Sequence, residues 1–250
     1  MKGSLELRNV SVGYKDKLVL QNIDLCVSEG ELLVLAGPNG SGKTTLLKCA
    51  GGLLRPLEGK VIVNGQDIHG LKPRRRAALA AFLFQVRDNP WPFTVRETVS
   101  QGRFVRRGWL GAETKEDREA IAFALEKADL LSLAARPITE LSGGELQRVY
   151  IARSIAGGAA FLLLDEPENN LDPRYAYKIL ALAEELVKEG RGAIVSLHDL
   201  RLASRFAGRV ALLSQEGTIS ALGTPSEALN EEILGKVFNL SPELVRSVVL

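Results

Sequence analysis

The sequence contains few of the residues that build disulfide scaffolds, metal centres and membrane spans. Its 250 residues include two cysteines, two histidines and one methionine. Cys26 and Cys49 lie far apart without a CxxC spacing, so we interpret both as small apolar residues of a reduced compartment. No apolar run approaches the ~18–20 residues that cross a bilayer, and no signal-like segment follows Met1. We therefore expect a cytoplasmic protein that requires a partner for any role at a membrane.

A strong charge of either sign is also missing. The sequence has 32 lysine and arginine residues against 30 aspartate and glutamate residues, a formal net charge of +2. That balance gives no indication of a nucleic-acid partner. The 46% of hydrophobic and 25% of charged residues are typical of a globular protein, and the length is sufficient for a well-formed core.

An alternation of apolar runs and helical segments is present. The runs suit strands that are buried on both faces, and they cover residues 32–36, 80–84, 161–164 and 193–197. The helical segments between them cover residues 44–49, 145–156 and 173–188. This pattern predicts an α/β fold with a mostly parallel sheet. The remaining predicted elements are short β-rich pieces at residues 5–10, 18–20 and 23–27, a hairpin of residues 210–213 and 217–222, and a helix beginning at Pro225.

Residues 86–158 have a different character. Helical spacing covers residues 94–102 and 115–133, and no segment here stands out as a strand. We therefore predict a helical lobe inserted between two strands of the α/β core. Trp91, Pro92, Phe93, Phe104, Trp109 and Leu110 crowd one part of this lobe. They form either its own core or a groove for a partner's helix, because aromatic residues are favoured as interface anchors.

The segment between the first apolar run and the next helix carries a phosphate-binding motif. It reads Gly37-Pro38-Asn39-Gly40-Ser41-Gly42-Lys43-Thr44 and fits the pattern G-x-x-x-x-G-K-[ST]. The glycines let the backbone curl so that successive N–H groups point at one anion, and the following helix start favours negative charge. In such a loop Lys43 contacts the β- and γ-phosphates, and the Thr44 hydroxyl binds Mg²⁺.

Two carboxylates, Asp165 and Glu166, close the third apolar run. Ligands of open α/β sheets bind at the carboxyl ends of the strands, so both side chains are expected beside the phosphate loop. We assign Asp165 as a partner of Mg²⁺. We assign Glu166 as the base that orients the attacking water.

Residues 141–148 read Leu-Ser-Gly-Gly-Glu-Leu-Gln-Arg, just before a predicted helix. Ser142 is a suitable helix cap, and the two glycines expose backbone donors at the helix start. This segment resembles the signature motif of ATP-binding cassette (ABC) ATPases, and the resemblance covers essentially the whole chain. It implies a P-loop NTPase core with a mostly parallel sheet, an N-terminal antiparallel β subdomain and an inserted α-helical subdomain. Residues 1–85 and 159–250 would form the core with its β part, and residues 86–158 the helical subdomain.

The resemblance also implies roles for single residues. Tyr14 would stack on adenine, although a tyrosine in a turn is often a packing residue. Gln85 would contact Mg²⁺ and hinge the helical lobe, and His198 would contact the γ-phosphate, whereas His69 has no motif and is expected to be solvated. The implied ATP-binding set is Tyr14, Gly37, Pro38, Asn39, Gly40, Ser41, Gly42, Lys43, Thr44 and Thr45, the catalytic set is Glu166, His198, Lys43 and Gln85, and the metal set is Thr44, Gln85 and Asp165.

In this family two ATPase subunits pack head to tail, so Ser142, Gly143, Gly144 and Asp172 would bind the partner copy's ATP in trans. The sequence departs from the family pattern at Glu168-Asn169-Asn170, where many relatives have Thr-Ser-Ala or Thr-Ser-His. It also departs at Phe84, a position often filled by proline. Neither departure removes a catalytic group.

The absence of fused membrane spans is typical of importers, which commonly keep ATPase and permease on separate chains. Residues 94–99, Gly102-Arg103 and residues 221–225 resemble importers for iron-siderophore, haem or vitamin B12-type chelates. This implies a homodimer that uses ATP and Mg²⁺ at the inner face of the membrane, bound to a permease and served indirectly by an extracytoplasmic binding protein, with no nucleic acid. The alternatives are a soluble ABC ATPase of iron–sulfur cluster assembly and the ATPase of an exporter. A GTPase is disfavoured because the guanine-reading motif Asn-Lys-x-Asp is missing.

Overall fold

The computed structural model describes residues 2–15, 17–83, 91–107, 111–169, 171–241 and 243–245. Strands in these ranges are β1 Ser4–Tyr14, β2 Lys17–Ser28, β3 Leu32–Ala36, β4 Glu58–Val63, β5 Gln66–Asp67, β6 Ala80–Leu83, β7 Phe161–Asp165, β8 Gly192–Ser196, β9 Arg209–Leu213 and β10 Ile219–Gly223. Helices are α1 Lys43–Ala50, α2 Pro73–Leu79, α3 Val95–Ser100, α4 Phe104–Arg107, α5 Lys115–Lys127, α6 Gly143–Gly157, α7 Pro173–Lys188, α8 Leu200–Phe206, α9 Pro225–Ala228 and α10 Glu231–Phe238.

The larger sheet has six strands in the order β10-β9-β3-β8-β7-β6. Its strands run parallel except for β10, which forms the predicted antiparallel hairpin with β9. The strands β3, β7 and β8 are buried along their whole length, which is why they read as continuous apolar runs. The prediction of an α/β fold with a mostly parallel sheet is confirmed.

Successive residues of β3 point to opposite faces of this sheet and belong to two cores. Leu33 and Leu35 pack with α1 and with the smaller sheet, which is antiparallel and has the order β2-β1-β4-β5. Val34 and Ala36 pack in the core shared with α6 and α7. The central strands are therefore packed on both faces, and this packing fixes the positions of the residues at their carboxyl ends.

Between β6 and β7 the described residues form helices and turns, apart from one isolated bridge between Thr94 and Pro137. A buried ion pair joins two of these elements: the Arg103 Nε atom lies 2.6 Å from Asp117 Oδ1 at the start of α5. Arg103 also donates to the carbonyl of Ala156 in α6, at 3.0 Å. These contacts hold the helical lobe together around α6. The division of the chain at residues 85/86 and 158/159 stays a prediction.

Several sequence expectations need correction. The helix predicted over residues 115–133 ends at Lys127, because Asp129 has a left-handed φ of 55° that breaks the helical path. The two strands predicted at residues 18–20 and 23–27 are one strand, β2. The expectation that His69 is solvated is wrong: its side chain is 7% exposed, and its Nε2 atom lies 2.9 Å from the carbonyl oxygen of Leu54.

In the described part of the chain, none of the helices has the length and apolar character needed to span a bilayer.

Candidate functional site

The phosphate loop connects the end of β3 to the start of α1. Gly37, Gly40 and Gly42 have φ values of 143°, 81° and 98°, so the loop uses backbone conformations that favour glycine. A Cβ atom on Gly37 would lie 2.5 Å from the Leu213 carbonyl oxygen, and one on Gly42 would lie 2.8 Å from the Leu20 side chain. No side chain caps the start of α1, so the positive end of that helix remains directed at the loop.

Lys43 is the first residue of α1, at the end of this loop, and is buried. Its Nζ atom donates to the carbonyl oxygens of Gly37 at 2.8 Å and Pro38 at 3.1 Å. Burial lowers the pKa of the Lys43 ammonium, whereas the nearby carboxylates of Glu166 and Asp165 act in the opposite direction. The loop therefore encloses a cation that faces two acidic side chains.

Asp165 is the last residue of β7 and lies beside Ser196, the last residue of β8. Its Oδ1 atom accepts hydrogen bonds from the Thr44 hydroxyl at 3.0 Å and from the Ser196 hydroxyl at 2.9 Å. Burial raises the pKa of the Asp165 carboxyl, while these two hydrogen bonds act to lower it. Three hard oxygen atoms thus meet at the carboxyl ends of neighbouring strands.

Glu166 follows with a left-handed φ of 47°, uncommon for a residue other than glycine. Its backbone N–H donates to the Ser196 hydroxyl at 2.9 Å, which fixes the turn. Its Oε1 atom lies 2.5 Å from Nε2 of His198, and its Oε2 atom accepts from Asn169 at 3.3 Å. The strained turn therefore presents Glu166 and His198 to the site as a pair.

A cavity of ≈180 Å³ joins these side chains. Its lining residues are Val19, Asn39, Gly40, Gly42, Lys43, Thr44, Thr45, Glu166 and His198. The structure thus brings together the loop, the carboxylate turn and His198, which are far apart in the sequence. The cavity combines an ammonium group, a helix start and a carboxylate–imidazole pair, which suits a phosphate ester and a reacting water.

The remaining predicted site residues have varied positions. Tyr14 ends β1 and is 46% exposed; it does not line the cavity, but it shares the β1–β2 hairpin with the lining residue Val19. Ser41 is buried, and its hydroxyl has no hydrogen-bond partner in the described structure. Gln85, along with Phe84, lies outside the described residues.

The signature segment begins α6. Ser142 caps this helix, and both its N–H and its hydroxyl donate to Glu145 Oε2 at 2.8 Å. Ser142 and Gly143 are exposed, while Gly144 is buried against the ring of Tyr175. Asp172 caps α7 through a hydrogen bond from the Arg174 N–H at 2.8 Å. None of the three signature residues from Ser142 to Gly144, nor Asp172, lines the cavity around Lys43 of the same chain.

Two features of the site are not predicted from the sequence. One is the residue Ser196, and the other is the contact that Glu168 makes with His198. Ser196 connects Asp165 to Glu166 by hydrogen bonds, and the only signal for it is a hydroxyl within an otherwise apolar run. The sequence marks Glu168 only as a departure from the family pattern and gives no signal for its contact with the backbone N–H of His198. Both contacts depend on β7 lying beside β8, which the sequence alone does not specify residue by residue.

The family model that matches this chain is that of the ABC transporter, over residues 20–169. The chain is 38% identical to the iron(3+)-hydroxamate import ATP-binding protein FhuC of Bacillus subtilis, over 97% of this chain and 90% of the relative. It is 39% identical to the achromobactin transport ATP-binding protein CbrD of Dickeya dadantii, over 95% of this chain and 88% of the relative. It is also 39% identical to the hemin import ATP-binding protein HmuV of Rhizobium meliloti, over 92% and 89% of the two chains.

Solved structures share the fold. A structure described as an inward-facing metal-chelate type ABC transporter has a TM-score of 0.83 and 27% identity, and the match covers 95% of this chain and 90% of that chain. A dimeric ATP-binding cassette in a post-hydrolysis state, bound to ADP and Pi, has a TM-score of 0.76 and 32% identity over 88% of this chain and 98% of that chain. The sequence and the fold are therefore similar to those of the same group of proteins.

Proposed function

Because the chain belongs to the ATP-binding cassette (ABC) transporter family, in which it is an ATP-hydrolysing subunit, we propose that it powers an importer of an iron-siderophore, haem or cobalamin-type metal chelate. The single observation that supports its enzymatic role most strongly is the meeting of Lys43, Thr44, Glu166 and His198 around one cavity. The relatives named for import of hydroxamate, achromobactin and hemin support the class of cargo.

In the proposed complex the triphosphate of ATP lies along residues 37–45. The backbone N–H groups of the loop and the start of α1 bind the phosphate oxygens, and the Lys43 ammonium exchanges its two carbonyl partners for the β- and γ-phosphates. Tyr14 is exposed at the end of the β1–β2 hairpin, where its ring is available to stack on adenine.

The residues beside the phosphate loop fit Mg²⁺. Thr44 Oγ1 and Asp165 Oδ1 are 3.0 Å apart, and hydroxyl and carboxylate oxygens are the hard ligands that Mg²⁺ prefers. Burial raises the pKa of Asp165, so a nearby cation would stabilise its charged form. Among the described residues, no group of three or more aspartate, glutamate, histidine or cysteine side chains is arranged to hold a metal ion. When bound, Mg²⁺ would neutralise charge on the β- and γ-phosphates, and Gln85 is a further proposed contact.

For hydrolysis, Glu166 orients a water molecule and accepts its proton as the water oxygen bonds to the γ-phosphorus. The bond from that phosphorus to the bridging oxygen breaks, giving ADP and phosphate. His198, at 2.5 Å from Glu166, holds the carboxylate and contacts the γ-phosphate. The chemistry then depends mainly on positioning and on charge stabilisation by Lys43 and the loop N–H groups.

The active unit is proposed to be a head-to-tail homodimer. Ser142 and Gly143 are exposed at the start of α6 and do not reach their own chain's cavity, so they are available to a second copy. In that arrangement Ser142, Gly143, Gly144 and Asp172 border the ATP held by the partner copy. One solved relative is described as dimeric and bound to ADP and Pi, which supports this model.

The permease is proposed to dock on the helical lobe at the inner face of the membrane. In this arrangement the chain is a cytoplasmic, peripheral subunit. An extracytoplasmic binding protein delivers the cargo to the permease. Trp91 is 65% exposed and Phe93 is 41% exposed, so these two side chains are not the lobe's core and are available as anchors. Trp109 and Leu110 lie outside the described residues. One solved relative is described as part of the transporter complex cbiONQ, which supports work with other subunits.

Isolation of the full-length chain from its native membrane tests the proposal. Mild detergent extraction of a tagged chain should yield a transmembrane permease in fixed stoichiometry. Three probes are then offered to reconstituted vesicles: a ferric hydroxamate, haem and cobalamin. The vesicles should take up one of these probes only when ATP is present on the side of the membrane where the ATPase subunit lies. Recovery of a soluble scaffold in place of a permease, or ATP-driven efflux, would replace the importer with one of the two alternative functions.

A further inference from the structure

The turn after β7 contains a second acidic side chain, Glu168, whose partner lies on the next loop. The Oε1 atom of Glu168 accepts the backbone N–H of His198 at 3.0 Å. The two residues are separated by 30 positions in the sequence, so this bond joins the turn after β7 to the loop after β8, in addition to the contact between Glu166 and the His198 ring. Its Oε2 atom is buried and has no hydrogen-bond partner among the described residues.

This placement is costly for the fold. Burial raises the pKa of the Glu168 carboxyl, with the negative charge of Glu166 acting in the same direction and the bond from His198 acting against it. A buried carboxyl oxygen without a partner loses its hydration with no compensating hydrogen bond. An apolar side chain of similar size would avoid this cost but would leave the His198 N–H without its acceptor, so the contact with His198 is the feature that a role for the carboxylate has to explain.

The two glutamates hold the same histidine at two points. Glu166 contacts the imidazole at 2.5 Å, and Glu168 contacts the main chain at 3.0 Å. Fixing the main chain of His198 limits where its ring can lie, because only the side-chain torsions remain free. Loss of the Glu168 bond would let the loop after β8 move away from the turn that carries Glu166.

We propose that Glu168 is a positioning residue that fixes the main chain of His198, so that the His198 ring and the Glu166 carboxylate stay aligned in the ATP cavity. The proposal rests on the proposed hydrolysis of ATP at this cavity. Glu168 acts through His198 and does not line the cavity itself. It gives a role to one of the positions at which this sequence departs from its family pattern.

Two substitutions separate this role from a structural one. Glu168→Gln keeps an oxygen acceptor in the same place, and Glu168→Leu fills a similar volume without an acceptor. On the full-length protein we expect Glu168→Leu to lower kcat for ATP by on the order of tenfold, with KM changed less than about twofold, because misplacement of reacting groups affects the chemical step. Glu168→Gln should retain most of kcat. Thermal unfolding should show that Glu168→Leu remains folded at the assay temperature, so that the lower kcat is not a loss of folded protein.

Histidine NMR gives a readout that stability cannot mimic. The chain has two histidines, and His69 is enclosed in a separate environment beside Leu54, so it serves as an internal reference. We expect Glu168→Leu to shift the imidazole signals of His198 and leave those of His69 unchanged. In a Glu166→Gln background the Glu168→Leu change should have little further effect on kcat.

Unchanged His198 signals, equal losses of kcat in the Gln and Leu variants, or fully additive losses with Glu166→Gln would each overturn the proposal. Failure of the underlying function is distinguishable, since Glu166→Gln would then leave hydrolysis intact whatever is found at Glu168.

Discussion

The two helix starts that we propose as phosphate-binding sites, at α1 and at α6, are built differently. The start of α1 adjoins a cavity that already contains Lys43, Thr44, Glu166 and His198. The start of α6 is exposed, and the donors of Ser142 are occupied by Glu145 of the same turn. The first region has the chemistry of a reaction site within one chain, whereas the second has binding groups without a reaction site. This contrast supports the proposal that the α6 start binds to a second copy of the chain.

The largest effect is expected at Glu166, whose carboxylate lines the cavity beside the start of α1. Glu166→Gln should slow hydrolysis by roughly 10²–10⁴-fold because it removes a general base, while ATP affinity stays near that of the parent. The variant should accumulate as an ATP-bound dimer in gel filtration with Mg²⁺ and ATP. Asn169→Ala, which removes only the 3.3 Å contact to the other oxygen of Glu166, is the matched control. A fully active Glu166→Gln would remove this residue from the catalytic role.

Removal of the cation in the phosphate loop is the next effect. Lys43→Ala should weaken ATP binding by on the order of a hundredfold, because a charge-assisted contact to two phosphates is lost in a buried site. Titration with a fluorescent ATP analogue measures this directly. Lys60→Ala, on the exposed part of β4, is the control with the same change of charge and should bind normally. Equal affinities for the Lys43→Ala variant and the parent would contradict the assignment of the loop.

The α6 region should show the opposite behaviour, a loss of turnover without a loss of binding by the single chain. Gly143→Glu places a carboxylate where a Cβ atom meets nothing within 4 Å, so the fold should tolerate it. The added charge should repel the partner's phosphates and reduce hydrolysis by roughly tenfold or more. ATP titration of dilute monomer should be unchanged. Weakened binding by the monomer would mean that α6 acts within its own chain.

The smallest effect is expected at Asp117, which forms the buried ion pair with Arg103 beside α6. Hydrogen bonds from Arg103 and Thr114 lower the pKa of the Asp117 carboxyl to about 2, against an opposing effect of its burial. A folded-state pKa below the unfolded one adds stability that is present above the unfolded value of about 3.9 and is lost as the pH falls towards the folded value. Asp117→Asn should therefore lower the free energy of unfolding by about 1.5 kcal/mol at pH 7, and by clearly less near pH 2.5. Urea unfolding at the two pH values measures the difference; an equal loss at both would contradict the charge argument.

Many of the strands and helices could be predicted from the sequence because local patterns specify them. The apolar run of β3 and the boundaries of α7 match the prediction, since continuous burial and a proline at the first helical turn leave clear signals. The end of α5 was not accessible, because the left-handed φ of Asp129 depends on its contacts with α6, where Arg148 binds its carbonyl at 2.7 Å.

For the site, the motifs identified Lys43, Asp165 and Glu166, but not the bonds among them. Ser196 joins Asp165 and Glu166 only because β7 and β8 are neighbours in register. Glu168 reaches His198 for the same reason. Contacts between loops that follow adjacent parallel strands are long-range in sequence, and no local pattern encodes their partners.

Mixing two impaired variants tests the central claim, that each ATP is bound between the phosphate loop of one copy and the α6 start of the other. Lys43→Ala and Gly143→Glu should each hydrolyse ATP far more slowly than the parent when assayed alone at high protein concentration with Mg²⁺ and ATP. A mixed dimer contains one pairing of an intact loop with an intact α6 start, so the mixture should regain a substantial part of the parent's hydrolysis. A mixture as inactive as its separate components, although the two variants form mixed dimers, would contradict the account.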